Sequence, residues 1–271
     1  VERLGAVLAA APSALRGTIS LLALEGPGES GDDGLQLNLQ LAQALLPLAA
    51  PALWLLTQGA VQAAALDGLS HPAQAMCWGL GQTLGLEHPT RLGGLIDLPD
   101  EVLPLTLNLL VASLVATDGE DQVALRRSGR LVRRLCRDAV AATRATPVPD
   151  WCAGTVVITG GTGRVGLQVA RWLARQGAQR LVLLSRHGHT APGAATLLAE
   201  LGGRVELAAC DVCETAALHA LLDRIDEEGP RVRAVFHLAG ESRQTPLAEL
   251  TGAALRQELG ARVHGARALQ G

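Results

Sequence analysis

The 271-residue chain contains no tyrosine and no lysine, and only one phenylalanine, one methionine and four tryptophans. Its 23 basic side chains are therefore all arginines, and no phenolic proton donor or compact ammonium can come from within these residues. Charge is sparse as well: 18% of residues are charged against 48% hydrophobic, which excludes a disordered polyelectrolyte and implies well-covered cores. A net charge of -3 leaves no general attraction for nucleic acid. The densest basic run, LRRSGRLVRRLCR at 125–137, alternates with apolar residues as a strand pair with a wet face would. The most apolar run, LQLNLQLAQALLPLAAPALWLL, is interrupted by Asn38, Gln40, Gln43, Pro47 and Pro51, so it falls short of a membrane span. No signal-peptide pattern opens the chain, which begins at Val1 without methionine and is expected to be a piece of something longer. Five unevenly spaced cysteines read as reduced cytoplasmic thiols rather than a disulfide framework. Cys210 and Cys213 form a C-x-x-C, but AACDVCE reads as a strand end followed by a helix start, and no metal site is expected.

Two halves share one rhythm. In the first, strands are expected at 17–24, 52–58, 91–98 and 121–127, with helices at about 34–48, 71–87 and 101–116; the second of these helices opens on a Ser70 cap and an early proline. That alternation implies parallel strands with crossover helices. The proline-bearing ATPVPDW at 145–151 is the candidate boundary. Beyond it come strands at 154–159, 180–185, 204–210 and 231–238, separated by helices at about 163–176, 191–201 and 214–227. The expected architecture is α/β, two tandem Rossmann-like doubly wound units, with residues 1–145 and 146–271 as the two parts.

The chemistry concentrates in TVVITGGTGRVG, residues 155–166, where a strand runs into a glycine turn and then a helix. Gly160 permits the tight turn, Gly163 lets backbone approach a pyrophosphate, and Gly166 lets the helix pack close to the sheet. The helix N-terminus would face the phosphate with free N–H groups. The first half offers only a single glycine, Gly59, at its comparable point, and so is expected to bind no nucleotide. At the end of the next strand an acidic residue would favour NAD, whereas LVLLSRHGH places Ser185 and Arg186 there, which suits the 2′-phosphate of NADP. His187 and His189 lack partners of fixed spacing and read as loop histidines. Asp211 and Val212 in CDV, with Ala239 and Gly240 in HLAG, fall on the same carboxyl edge.

With TGGTGRVG, SR, CDV and VFHLAG in this order, the second half resembles a short-chain dehydrogenase/reductase. PALWLLTQGAV, HPAQAMCWGLGQTLGLEHPTRLGGLIDLP and LTGAALRQELGARVHGARAL narrow this: nearly the whole chain resembles the ketoreductase domain of a modular type I polyketide synthase. The resemblance implies a cofactor-free structural first half and a catalytic second half. The latter would bind NADPH and reduce the β-keto group of an acyl chain carried on the phosphopantetheine of an acyl carrier protein. It also implies neighbouring polyketide synthase domains as partners, and no nucleic acid or membrane. The implied cofactor-binding set is Gly160, Gly161, Thr162, Gly163, Arg164, Val165, Gly166, Ser185, Arg186, Cys210, Asp211, Val212, Ala239 and Gly240.

The chain departs from the family in three places. The family's Ser and Tyr lie beyond the next strand and helix, and the second half stops earlier, inside the counterpart of the first half's helix at 34–48, so the chain is expected to hold the cofactor site without them. At the family's Lys position, K-x-x-G-A, the sequence reads RVHGA, making Arg262 the counterpart. The loop ESRQTPL lacks the Leu-Asp-Asp of one stereochemical class, which points to the class giving the L-configured alcohol. Two other classes stay open: a reductively silent scaffold within a synthase, and an epimerase or dehydratase acting on nucleotide sugars. The last would need Tyr-x-x-x-Lys and would leave the first half unexplained.

Overall fold

Long apolar runs bounded by turn residues become strands covered on both faces, and these build two separate α/β units. The computed structural model describes residues 15–24, 32–48, 51–65, 67–137, 150–240 and 244–270. One compact unit runs to Arg137 and includes Thr245–Leu250; the other comprises Asp138–Gln244 and Thr251–Gly271.

In the first unit the order is β1 (Thr18–Ser20), α1 (Asp33–Leu45), β2 (Leu53–Gln58), α2 (Met76–Glu87), β3 (Leu92–Leu98), α3 (Pro104–Val115), β4 (Gln122–Arg126) and β5 (Gly129–Val132). Strands β1 to β4 are parallel, and β4 turns back into antiparallel β5, the strand pair that the arginine-rich alternation implied. The sheet order is β1-β2-β3-β4-β5, with no reversal among the described strands. Helix α2 approaches this sheet closely because Gly81 and Gly85, four residues apart, face Leu95 and Leu92 with no Cβ between. Ser70 does not cap that helix. Its hydroxyl is spent on Asp100, and a 3₁₀ turn, Pro72–Ala75, precedes α2 with the proline in its first turn. Thr245–Leu250 docks here through polar contacts: Gln43 Nε2 donates to the carbonyls of Leu247 and Leu250 at 2.8 and 2.7 Å, and Glu87 accepts from Leu247 N at 2.7 Å.

The second unit runs β6 (Thr155–Thr159), α4 (Arg164–Arg175), β7 (Arg180–Ser185), α5 (Ala194–Leu201), β8 (Val205–Ala209), α6 (Thr215–Glu228), β9 (Val232–His237) and α7 (Gly252–Leu259). Helix α5 starts three residues later than the apolar pattern suggested, because Gly193 takes a left-handed conformation, φ 79°, directly before it. A π-helical turn, Gly260–Gly265, continues α7. All four strands are parallel in the order β8-β7-β6-β9. From β6 the chain winds outward through β7 and β8, then returns to place β9 on the other side of β6. The order therefore reverses between β6 and β9, which opens a crevice at their carboxyl ends. Val156, Ile158, Leu181 and Leu183 on one face of the sheet, and Val157, Val182 and Leu184 on the other, are fully buried in two separate cores. The candidate boundary at 145–151 falls mostly outside the described residues.

Candidate active site

The crevice is built from strand ends. Off β6, Gly160 turns the chain with φ 63°, and a Cβ there would lie 2.7 Å from the Leu238 carbonyl oxygen and 2.9 Å from Ala239 Cα. Gly160 is therefore a contact point between the glycine turn and the end of β9, and only glycine fits. At Gly161 a Cβ would meet Leu183 at 2.6 Å, and at Gly166 the Gly160 oxygen at 2.5 Å, so both are packing glycines. Gly163 differs. A Cβ there would meet the Gly160 oxygen at 3.1 Å and nothing else within 4 Å, which leaves the space before α4 open. Gly163 is also the residue before α4 and gives the helix no side-chain cap. The first-turn N–H groups are thus presented without a competing side chain, together with the exposed Gly163–Val165 edge, in a form that suits an anion.

At the end of β7, Ser185 Oγ accepts from Gly188 N at 2.9 Å and so fixes the turn beyond it. Arg186 is exposed at that turn, near enough to favour ionisation of the Cys213 thiol. At the end of β8, the Ser185 carbonyl accepts from Cys210 N at 2.9 Å, and Asp211 Oδ1 accepts from Cys213 N at 2.9 Å. Both C-x-x-C thiols are held above the ordinary cysteine range, by burial first and then by the Asp211 carboxylate. A thiol held protonated is a poor metal ligand or nucleophile. Among the described residues, no group of three or more His, Cys, Asp or Glu could hold a metal ion. Val212 is buried, and a Cβ on Gly265 would lie 2.7 Å from it.

Arg262 lies on the π-helical turn and reaches back to β9: a Cβ on Gly240 would lie 3.1 Å from its Nε and 3.3 Å from its Cγ. The structure therefore brings the glycine turn, Ala239, Gly240 and Arg262 to one crevice, with Val212 beneath the turn that carries Arg262. Sequence reasoning passed over two residues that organise this edge, Thr159 and His237. Thr159 Oγ1 accepts from Leu238 N and Ala239 N at 3.1 and 3.2 Å and stands 2.7 Å from His237 Nδ1. The signal was a hydroxyl on the last residue of β6 facing a histidine on the last residue of β9. Glu241–Arg243, the start of the loop that lacks Leu-Asp-Asp, lie outside the described residues.

At the comparable strand ends of the first unit the space is filled. Where a Cβ on Gly59 would stand, the Ser70 hydroxyl and the Asp100 carboxylate already sit. Asp97, fully buried, accepts from Thr57 Oγ1 at 2.6 Å, Ala60 N at 3.0 Å and Arg126 Nη2 at 2.8 Å, so the end of β3 is closed by the chain's own polar groups.

A family model described as the KR domain matches residues 154–271, and one described as the Rossmann fold domain of the polyketide synthase extender module SpnB matches residues 5–135. The chain is 45% identical over 271 residues to polyketide synthase GfsA of Streptomyces halstedii, aligning 96% of the chain with 4% of that protein. It is 47% identical over 222 residues to the pikromycin polyketide synthase component PikAIII of Streptomyces venezuelae, aligning 80% of the chain with 14% of that protein. Among solved structures, an A1-type ketoreductase superposes with TM-score 0.87 at 43% identity, and a structure of A-type ketoreductases from a modular polyketide synthase with TM-score 0.88 at 44%. Each superposition covers 99% of the chain and 58% of the solved chain. Two matched models in tandem, with relatives and structures alike across both units, show that the chain belongs to the ketoreductase domains of modular polyketide synthases, within the short-chain dehydrogenase/reductase superfamily.

Proposed function

We propose that the chain holds NADPH for reduction of the β-keto group of a polyketide intermediate, carried on the phosphopantetheine of an acyl carrier protein, to a β-hydroxyl. Residues 146–271 are the NADPH-binding, N-terminal part of the catalytic half, and residues 1–145 are a cofactor-free structural half. Both work in the cytoplasm beside other polyketide synthase domains. The observation that carries this reading is the open space at Gly163, before an uncapped helix, in a turn whose other glycines are all packed. A cradle that a Cβ would fill fits a pyrophosphate.

In this reading the Gly160–Gly166 turn holds the pyrophosphate by backbone N–H groups other than those of Gly161 and Gly163, which donate to the Leu184 and Gly160 carbonyls, and Ser185 and Arg186 hold the 2′-phosphate. Asp211 and Val212 border the adenine side, and Ala239 and Gly240 floor the nicotinamide side. Bound NADPH supplies a hydride. An alkoxide formed by hydride delivery would need a proton, and the chain has no tyrosine to give one, so a phenolic donor would have to come from outside these residues. Arg262 stands where the family has Lys and places a fixed positive charge beside Gly240. The absence of Leu-Asp-Asp assigns the L-configured alcohol.

A second reading, a scaffold without reduction, is favoured by one observation, the absence of both Tyr and Lys. Fluorescence titration of the chain with NADPH and NADH separates the two. Saturable binding with NADPH preferred supports the reductase, and no binding of either overturns it. The chain alone is expected to consume no NADPH on adding a β-keto thioester, and steady ketone-dependent consumption would require a different proton donor.

A further inference from the structure

The His237 imidazole, on the last residue of β9, is engaged at both nitrogens. Nε2 lies 2.9 Å from the carbonyl oxygen of Ala261, and Nδ1 lies 2.7 Å from Thr159 Oγ1. A carbonyl only accepts, so Nε2 bears the proton and donates it. In the neutral ring Nδ1 is then an acceptor, and the Thr159 hydroxyl donates to it. That hydroxyl oxygen meanwhile accepts from Leu238 N and Ala239 N. Its one proton and both lone pairs are used, which leaves a single tautomer and a single ring orientation.

The oxygen that His237 holds belongs to the peptide joining Ala261 to Arg262, inside the π-helical turn Gly260–Gly265. Single π turns within helices are uncommon and cluster at functional sites. Both ends of this one rest on the strand edge. At its start, Ala261 is hydrogen-bonded to His237; at its close, a Cβ on Gly265 would lie 3.5 Å from His237 Cε1 and 2.7 Å from Val212 Cγ2. Fixing the Ala261–Arg262 peptide fixes the direction in which Arg262 leaves the helix, and that direction carries its side chain across Gly240.

We propose that His237 is a positioning residue. Through its Nε2–H bond to Ala261 it holds the π turn so that Arg262 lies at the carboxyl edge of β9, and it contributes to cofactor binding through Arg262 rather than by touching the cofactor. The proposal rests on NADPH occupying this crevice.

Two substitutions separate the nitrogens. In His237→Gln the amide nitrogen reaches the place of Nε2 and can still donate to Ala261. In His237→Asn the shorter amide reaches only the place of Nδ1, keeping the Thr159 contact and losing Ala261. NADPH affinity of the 271-residue chain is expected to fall about five-fold in His237→Asn and to stay within about two-fold of the parent in His237→Gln. In an Arg262→Ala background His237→Asn should cause no further loss, because the path through Arg262 is already cut. Equal losses in Asn and Gln, or a loss undiminished by Arg262→Ala, would overturn the proposal. The readout that needs no cofactor is amide hydrogen exchange across residues 260–265, together with the ring ¹⁵N spectrum of His237 in the parent. Faster exchange in Asn but not Gln, with the proton on Nε2, supports the latch, and identical exchange in both overturns it. Should the parent fail to bind NADPH, the cofactor reading falls and exchange alone decides the role of His237.

Discussion

Arg262 lies across Gly240, its Nε 3.1 Å from the place a Cβ on Gly240 would occupy. The two residues are far apart in type and close in consequence, since the bare backbone of one is the floor for the side chain of the other. Gly240 is outside the set of positive-φ glycines, so alanine is conformationally acceptable there and only the arginine must move. We expect Gly240→Ala to leave the melting temperature nearly unchanged and to weaken NADPH by a factor comparable to Arg262→Ala. The double variant should be no weaker than either alone, as for two changes that disable one contact. Additive losses would show that Gly240 and Arg262 act separately.

On the proposed function, Arg186 is the residue that distinguishes the two cofactors. It is exposed at the end of β7, where the proposed 2′-phosphate of NADPH, which NADH lacks, would stand, and a charge-assisted hydrogen bond of this kind contributes about 1.5 to 3 kcal/mol. Arg186→Ala should therefore weaken NADPH by about ten-fold or more and leave NADH nearly unchanged. Parallel titrations of the two cofactors check this, and equal losses would remove the assignment.

The four glycines of the turn predict two different phenotypes. Gly163 has φ -77° and ψ 167°, an extended conformation that a β-branched residue accepts, and open space where the side chain would go. Gly163→Val should fold normally and lose NADPH binding. Gly160→Ala meets both a positive φ and a carbonyl oxygen 2.7 Å away, so it should destabilise the second unit by about 2 kcal/mol or more. Melting curves run beside the titrations separate the two. Gly59→Val, the obvious control in the first unit, is unusable, since φ is 58° there and Ser70 and Asp100 fill the site.

These contrasts also mark what was legible in the sequence. Strand, glycine turn and helix could be read at 155–166 because each is a local pattern, and the strand at 180–185 emerges with those bounds. The fold class was legible for the same reason. The start of α2 was misread because a serine before a proline is a capping signal only when its hydroxyl has no better partner, and Asp100, thirty residues away in sequence, is that partner. Thr159 and His237 escaped notice because their roles exist only once β6 and β9 lie side by side, 78 residues apart in the chain. The closing of the first unit by Asp97 and Arg126 was equally invisible, being a contact between neighbouring strands, β3 and β4.

Helix α2 offers a test of packing independent of any cofactor. Gly79 has nothing within 4 Å of a prospective Cβ and is exposed, so Gly79→Ala should raise stability by about 0.5 to 1 kcal/mol through reduced chain entropy. Gly81, two residues on, would push a Cβ into Leu95, a buried side chain of β3, and Gly81→Ala should lower stability by about 1 to 3 kcal/mol. Urea midpoints for the two variants should move in opposite directions, and movement in the same direction would mean that α2 does not sit on β3 as described.

The absence of lysine and tyrosine makes the alkaline limb of stability a report on cysteines, because no other side chain titrates between the cysteine range and that of arginine. Cys77 dominates it. Buried in α2 at 1% exposure, its thiol is pushed up to about 11 from 9.0 by burial, against a smaller opposing hydrogen bond from Asn38. A raised pKa means that the folded state binds this proton more tightly than the unfolded state does. The contribution is therefore complete below pH 9.0 and is lost as pH rises toward about 11. A two-unit displacement corresponds to about 2 to 3 kcal/mol. Cys152, Cys210 and Cys213, in the second unit, are raised in the same direction, Cys152 by burial and the other two by burial and then by the Asp211 carboxylate. Urea unfolding of the first unit at about pH 8.5 and about pH 10.5 should show a marked fall for the parent, and a clearly smaller fall for Cys77→Ala, which has no thiol to ionise. Alanine leaves a small cavity, so the variant starts less stable at the lower pH, and the quantity that decides is the difference between the two pH values. An equal fall in parent and variant would place the alkaline loss elsewhere and remove Cys77 as its source.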